Sequence, residues 1–198
     1  MSERLNLLPD PAFVALQPVL AARMATLGAE IQAGQLAHLL DPLLRKILQQ
    51  GFTEAGAHEG TVWLVDAAGE FLVPAFNTGP HATEMVGKFK QPLSAGLISM
   101  VFATEQPFLE NEVSRNAQQS KLLDAQLQVQ TQALIAVPFY LLDACRGVVS
   151  CVQLKSAGAV DPPGFRPEHL ASVQAAAALL ARLIEYRLLS QTVGWDCE

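Results

Sequence analysis

The chain changes its hydrophobic period several times, and those changes mark out its elements. Phe13, Leu16, Leu20, Met24 and Leu27 recur at helical spacing. They predict a helix from Pro11 to about Leu27, with Asp10 as N-cap, Pro11 in the first turn and Gly28 at its end. Pro18 lies inside this stretch and predicts a kink or a restart. A second run, Leu36, Leu39, Leu40, Leu43, Leu44, Ile47 and Leu48, keeps the three-and-four spacing throughout. It predicts a helix over about Glu30–Gln50, closed by Gly51, with Asp41-Pro42 able to divide it into two capped pieces. At Thr61 the period falls to two. Thr61–Val65 and Phe71–Phe76 are β-branched and aromatic runs, and Asp66 to Glu70 between them carries Gly69, so they read as a hairpin. Pro74 cannot donate a ladder bond and predicts an edge or a bulge.

Residues 77–92 are broken by Asn77, Gly79, Pro80, Gly87 and Pro92 and read as an irregular lid. Ser94 is read as the N-cap of a short helix over about Ala95–Ala103. A short strand at Gln106–Leu109 and a polar helix at about Ser114–Gln126 follow. Ala133–Tyr140 and Gly147–Leu154 are strands joined by a connection short enough to require antiparallel pairing. The first of them is apolar on both faces, which predicts cover on both sides and three layers. Pro167 opens the last helix, from Glu168 to about Gln191. Its apolar stripe, which includes Leu179, Leu180, Leu183, Ile184, Leu188 and Leu189, is wider than one sheet can cover, so part of it is expected to meet a partner helix.

The expected fold class is therefore α+β, an α/β/α three-layer domain. A central antiparallel sheet of about five to six strands is flanked by long N- and C-terminal helices. The expected division is residues 1–29 as a helical extension, 30–193 as the domain and 194–198 as a tail. A length of 198 residues suits one such domain without staples. Apolar residues are 51% and charged residues 16%, which also favours a covered apolar face. Leu16, Leu20, Leu180, Ile184 and Leu188 are the residues expected to carry a homodimer.

A net charge of −6 argues against nucleic acid and against anionic membranes. Residues 1–9 lack the basic and apolar blocks of a signal peptide. The three cysteines, Cys145, Cys151 and Cys197, show no metal or disulfide spacing and fit a reducing cytoplasm. No metal is expected, since none of His38, His58, His81 and His169 has a ligand-spaced carboxylate or cysteine. No phosphate-binding glycine motif and no nucleophile elbow is present.

Four segments together bear a family resemblance. They are Gly60-Thr-Val-Trp-Leu-Val-Asp66 with Gly69-Glu70; Ser94-Ala-Gly-Leu97 through Val101 to Pro107-Phe108; Ala133-Leu-Ile-Ala-Val-Pro-Phe139; and Gly147-Val-Val-Ser-Cys-Val152 followed by Phe165-Arg-Pro-Glu168. In order and spacing this resembles the GAF family of small-molecule sensor domains, over about Leu36 to Leu189. The resemblance implies a non-enzymatic sensory or regulatory domain, with a ligand pocket between sheet and lid and terminal helices that pass a signal on, either to a separate protein or within a longer chain of which these residues are a fragment. It implies a lining drawn from Trp63, Phe76, His81, Lys88, Phe89, Leu97, Phe102, Asn111, Glu112, Thr131 and Gln153, with Gly96 allowing close approach. The N-terminus of the Ser94 helix would favour an anionic group.

The departures narrow the ligand without naming it. Cyclic-nucleotide-binding members often carry Asn-Lys after the last central strand. Here the stretch is Val152-Gln-Leu-Lys155, which weakens that reading. No cysteine precedes residue 145, so a covalent bilin in the pocket-helix region is not expected. Two other readings stay open: a scaffold of the same fold with a filled core, and a small redox enzyme using Cys145 or Cys151.

Overall fold

The computed structural model describes residues 11–155, 158 and 160–194. Three helices come first, α1 (Pro11–Glu30), α2 (Ala33–Leu39) and α3 (Pro42–Glu54). The hairpin β1 (Glu59–Val65) and β2 (Phe71–Asn77) follows. The lid side then contains α4 (Ala82–Met85), β3 (Gln91–Pro92), α5 (Leu97–Thr104), β4 (Phe108–Glu110), a 3₁₀ turn at Val113–Arg115 and α6 (Leu122–Leu127). The chain closes with β5 (Thr131–Leu141), β6 (Ala144–Leu154) and α7 (Pro167–Val193). The sheet has six strands in the order β3-β2-β1-β6-β5-β4, every neighbouring pair antiparallel.

The two-residue alternation of the strands sorts the core into two halves. On one face Val62, Leu64, Ile135, Val137, Phe139 and Val149 pack against Leu36, Leu44 and Leu48 of α2 and α3 and Leu180 and Ile184 of α7. On the other, Trp63, Leu72, Leu134, Ala136 and Val148 pack against Met85, Phe89, Leu97, Val101 and Leu127 of the lid. The three layers expected from the doubly apolar strand are present.

Asp41 does divide the leucine-rich helical run. Its Oδ1 accepts from the Leu44 N–H at 2.8 Å, with Pro42 in the first turn of α3. Arg187 of α7 pairs with the same carboxylate and donates to the Leu39 carbonyl at 3.0 Å, so the break is tied to the last helix. The Leu44 N–H first, then Arg187, hold the Asp41 carboxyl below the usual carboxylate range.

Several boundaries differ from the sequence reading. α1 runs unbroken through Pro18 and past Gly28. Pro18 deprives only the carbonyl of Val14, an exposed residue that water can serve. Asp10, the expected cap, lies outside the described residues. α3 passes through Gly51 and ends at Glu54. Pro74 sits beside a bulge at Val62/Trp63, and β2 is not an edge, because β3 pairs outside it. The polar helix at 114–126 shrinks to the 3₁₀ turn and the six residues of α6.

The expected dimer set also divides. Leu180, Ile184 and Leu188 are spent inside the single chain, at 0%, 0% and 5% exposure. They lie on the face of α7 that meets the sheet. The exposed apolar residues of α7 are Leu179, Tyr186, Leu189 and Val193, and those of α1 include Phe13, Leu16 and Val19. α1 is also, among the described residues, the one helix with the length and apolar composition to cross a membrane, by those two criteria alone.

Candidate functional site

A cavity of about 100 Å³ lies between the sheet and the lid. Strand alternation makes its floor. Glu59, Thr61 and Trp63 are successive lid-facing residues of β1. Register places Val152 opposite Glu59 and Ser150 opposite Thr61. Asn77 faces Thr61 from the other side. Met85, Leu97, Val113, Leu123 and Leu127 supply an apolar roof.

Many of the polar groups on this floor are buried and partnered. The Trp63 indole N–H donates to Ser150 Oγ at 2.9 Å. Asn77 Nδ2 donates to Thr61 Oγ1 at 2.9 Å, while Asn77 Oδ1 accepts from the Gly79 N–H at 2.7 Å. Asp124 forms a knot at the start of β5. It accepts from the Thr131 backbone N–H at 3.0 Å, the Thr131 hydroxyl at 2.8 Å and Gln119 Nε2 at 3.1 Å. A carboxylate only accepts, so Asp124 fixes which end of the Gln119 amide faces it. Gln119 Oε1 is left buried without a partner.

α5 begins at the cavity. Its N-cap is Gly96, at φ +97°, and not Ser94. A Cβ at Gly96 would crowd the Ser120 Cβ at 2.9 Å and Gln91 Nε2 at 3.0 Å, in a conformation that side chains rarely adopt. Gln91, at 3% exposure, donates to the Ala95 carbonyl at 2.7 Å and holds this turn against β3.

Of the residues expected at a pocket, Trp63, Gly96, Leu97 and Thr131 line this cavity. Phe89 stands behind Trp63, edge to face with ring centroids 6.1 Å apart. Phe102 is half-buried against the lid-side core. The others lie elsewhere. Phe76 packs on the helix side of the sheet, where alternation sends it. Gln153 is on that side too: it donates to the Gly56 carbonyl and accepts from the Gly164 N–H, both at 2.9 Å. Asn111 is a second clasp, accepting from the Phe165 N–H at 2.7 Å and donating to the Phe165 carbonyl at 3.0 Å. Glu112 pairs with Arg115 at the surface. His81 precedes α4 beside Glu84, and Lys88 is exposed and donates to the Thr83 carbonyl. Sequence reasoning missed Glu59, Thr61, Asn77, Gln119, Asp124 and Ser150. The β1 alternation held the signal for Glu59 and Thr61, because Trp63 shares their face.

Among the described residues, neither cysteine lines the cavity. Cys151 is on the helix side of β6, and burial pushes its thiol up to about 12. Burial also raises Cys145, at the turn end of β6. Neither resembles a low-pKa nucleophile. Cys197 lies outside the described residues.

A curled antiparallel sheet, with long helices on one face and a lidded cavity on the other, is the architecture of a sensory-type α+β domain. The model of the GAF domain family matches residues 37–185, and the chain belongs to that family. The GAF domain of an Acinetobacter phosphoenolpyruvate-protein phosphotransferase is similar in structure, with 14% identity, 90% of this chain and 97% of that one covered, and a TM-score of 0.58. The GAF-B domain of DevS from Mycobacterium smegmatis is similar with 22% identity, coverage of 77% and 99%, and a TM-score of 0.56. A type II free methionine-R-sulfoxide reductase from Thermoplasma acidophilum is similar with 17% identity, coverage of 78% and 96%, and a TM-score of 0.55. At these identities the likeness is one of fold. No curated protein sequence matches the chain.

Proposed function

We propose that this GAF domain is a non-enzymatic sensory or regulatory module that takes a small ligand into the sheet–lid cavity. The observation that carries the reading is a cavity floored by ordered polar side chains and roofed by aliphatic ones, the usual make-up of a small-molecule site. The two raised thiols outside it speak against a cysteine enzyme. Calorimetry over a mixed panel of small cations, anions and neutral molecules tests it. At least one class is expected to bind the wild-type chain and to lose binding in Leu127→Trp, which fills the roof. Silence across the panel, or binding unchanged in that variant, would overturn it and leave the scaffold reading.

The module works as a soluble, cytoplasmic homodimer that passes ligand occupancy to a separate partner protein through α1 and α7. Support comes from the exposed stripe on α7. Leu179, Tyr186 and Val193 are spaced seven residues apart, the repeat of a helix-to-helix seam, and Leu189 lies within it. Sedimentation in detergent-free buffer is expected to give a dimer. Leu179→Glu combined with Tyr186→Glu is expected to give a monomer with an unchanged circular-dichroism spectrum. A monomeric wild type, or one that sediments with lipid vesicles through α1, would contradict the dimer.

A further inference from the structure

The cavity contains one strong acceptor that the fold leaves unused. Glu59 is the first residue of β1 and is 8% exposed. It lines the cavity on the same face as Thr61 and Trp63. No side chain or backbone group among the described residues hydrogen-bonds or ion-pairs with its carboxylate. Its oxygens are not fully enclosed, since the buried side-chain atoms without a partner among the described residues are Gln119 Oε1 and Arg146 Nε, so the carboxylate stays open to water or to a ligand. The other carboxylate on the wall, Asp124, is different, since Thr131 and Gln119 already engage both of its oxygens.

The remaining lining fits the same sign of charge. Among the described residues, no Lys, Arg or His lines the cavity. Gln119 Oε1 is a second buried acceptor without a donor. The Trp63 N–H is already committed to Ser150, which leaves the ring to the cavity as its one aromatic surface, and the face of an indole attracts cations. No group of three His, Cys, Asp or Glu side chains is placed to hold a metal ion among the described residues, so the cation that fits is organic. The roof of Leu123, Leu127 and Val113 offers it an apolar body to cover.

We propose that the cavity selects a small organic cation, a protonated primary amine with a short aliphatic body, and that Glu59 receives its ammonium group. This rests on the reading of the cavity as a ligand site. It reverses the anion that the α5 N-terminus suggested in the sequence, because one backbone terminus faces an unpaired carboxylate and no basic side chain. Glu59 is a binding residue here, and Trp63 assists it through its ring.

The experiment compares n-butylammonium, butan-1-ol and butyrate, which have four carbons each and differ in charge. Calorimetry at pH 7 on the wild-type chain is expected to show the ammonium binding at least about tenfold tighter than the alcohol, with butyrate silent. Glu59→Gln is expected to abolish the difference between ammonium and alcohol, while melting close to wild type because the carboxylate makes no hydrogen bond or ion pair among the described residues that the variant would lose. The wild-type comparison stands without any variant. Butanol or butyrate binding as well as the ammonium would overturn the cation and leave the ligand cavity intact. Silence of all three to about 10 mM, above the ~1 mM range within reach of five heavy atoms, would overturn it also. The ligand cavity itself falls only if the broader panel is silent too.

Discussion

Gly147→Ala is expected to cost the domain about 3 kcal/mol or more, the largest loss from removing a hydrogen and adding one methyl group anywhere in the sheet. Gly147 lies in β6, paired with Leu64 of β1 and Phe139 of β5. A Cβ there would fall on the backbone carbonyl of Trp63, and backbone cannot rotate away as a side-chain tip can. The two central strands must separate to admit it. Trp63 lies on the cavity floor, so the strain reaches the site as well. Urea unfolding followed by circular dichroism reads the effect, and a fall of roughly 10 °C in melting temperature is expected for a chain of this size. Gly69→Ala is the control. Gly69 has φ +69° but open space around it, and only the backbone cost of about 1 kcal/mol is expected. If Gly147→Ala cost no more than Gly69→Ala, β1 and β6 would not approach as closely as described.

Ile184→Ala is expected to cost about 2–5 kcal/mol. Ile184 is 0% exposed, in the seam where α7 lies on the sheet. Truncation removes its transfer energy and leaves a hole that β5 and α3, packed from both sides, cannot close. Leu43→Ala offers the contrast. Leu43 belongs to the periodic run of α3 but is 62% exposed, and a change within about 0.5 kcal/mol is expected. Chemical denaturation of both variants checks the pair. Equal losses would mean that the helix faces have been assigned incorrectly.

That contrast shows where the sequence was legible. Periodicity revealed the helices and the two hairpins, because burial of one face is written into the spacing of Leu36 to Leu48 and the alternation of β1. It could not tell which flank of a broad stripe meets the sheet. Leu180, Ile184 and Leu188 were expected at a dimer interface and are core. Leu179 and Tyr186, on the neighbouring flank, remain exposed. Nor could it time the breaks around the lid. Ser94 has the chemistry of an N-cap, but the helix starts two residues later behind Gly96, where Gln91 and Ser120 close on the turn. Those contacts join residues distant in sequence.

The candidate site was legible in part for the same reason. Trp63, Leu97 and Thr131 could be named because the family resemblance marks the strand and helix that bear them. Gln119 and Asp124 could not, and Glu59, although the alternation of β1 sets it on the Trp63 face, showed nothing of its role. Asp124 becomes important only because the chain turns back directly after α6 and sets it against the start of β5, whereas the sequence had suggested a longer helix beginning at about Ser114. Glu59 stands out through what it lacks: in sequence it is one acidic residue before a strand, and only the packed lid shows that nothing answers it. Gln153 and Asn111, polar residues near conspicuous motifs, instead close the connection into α7.

The most direct test of the central claim, that the sheet–lid cavity is a ligand site coupled to the terminal helices, is an amide NMR titration of the ¹⁵N-labelled chain taken across the whole small-molecule panel, n-butylammonium included. Saturable shifts are expected first at Thr61, Leu97, Gln119, Thr131 and Ser150, with smaller shifts along α7 at the same midpoint. Shifts absent from these residues, or scattered over the surface without saturating, would contradict it.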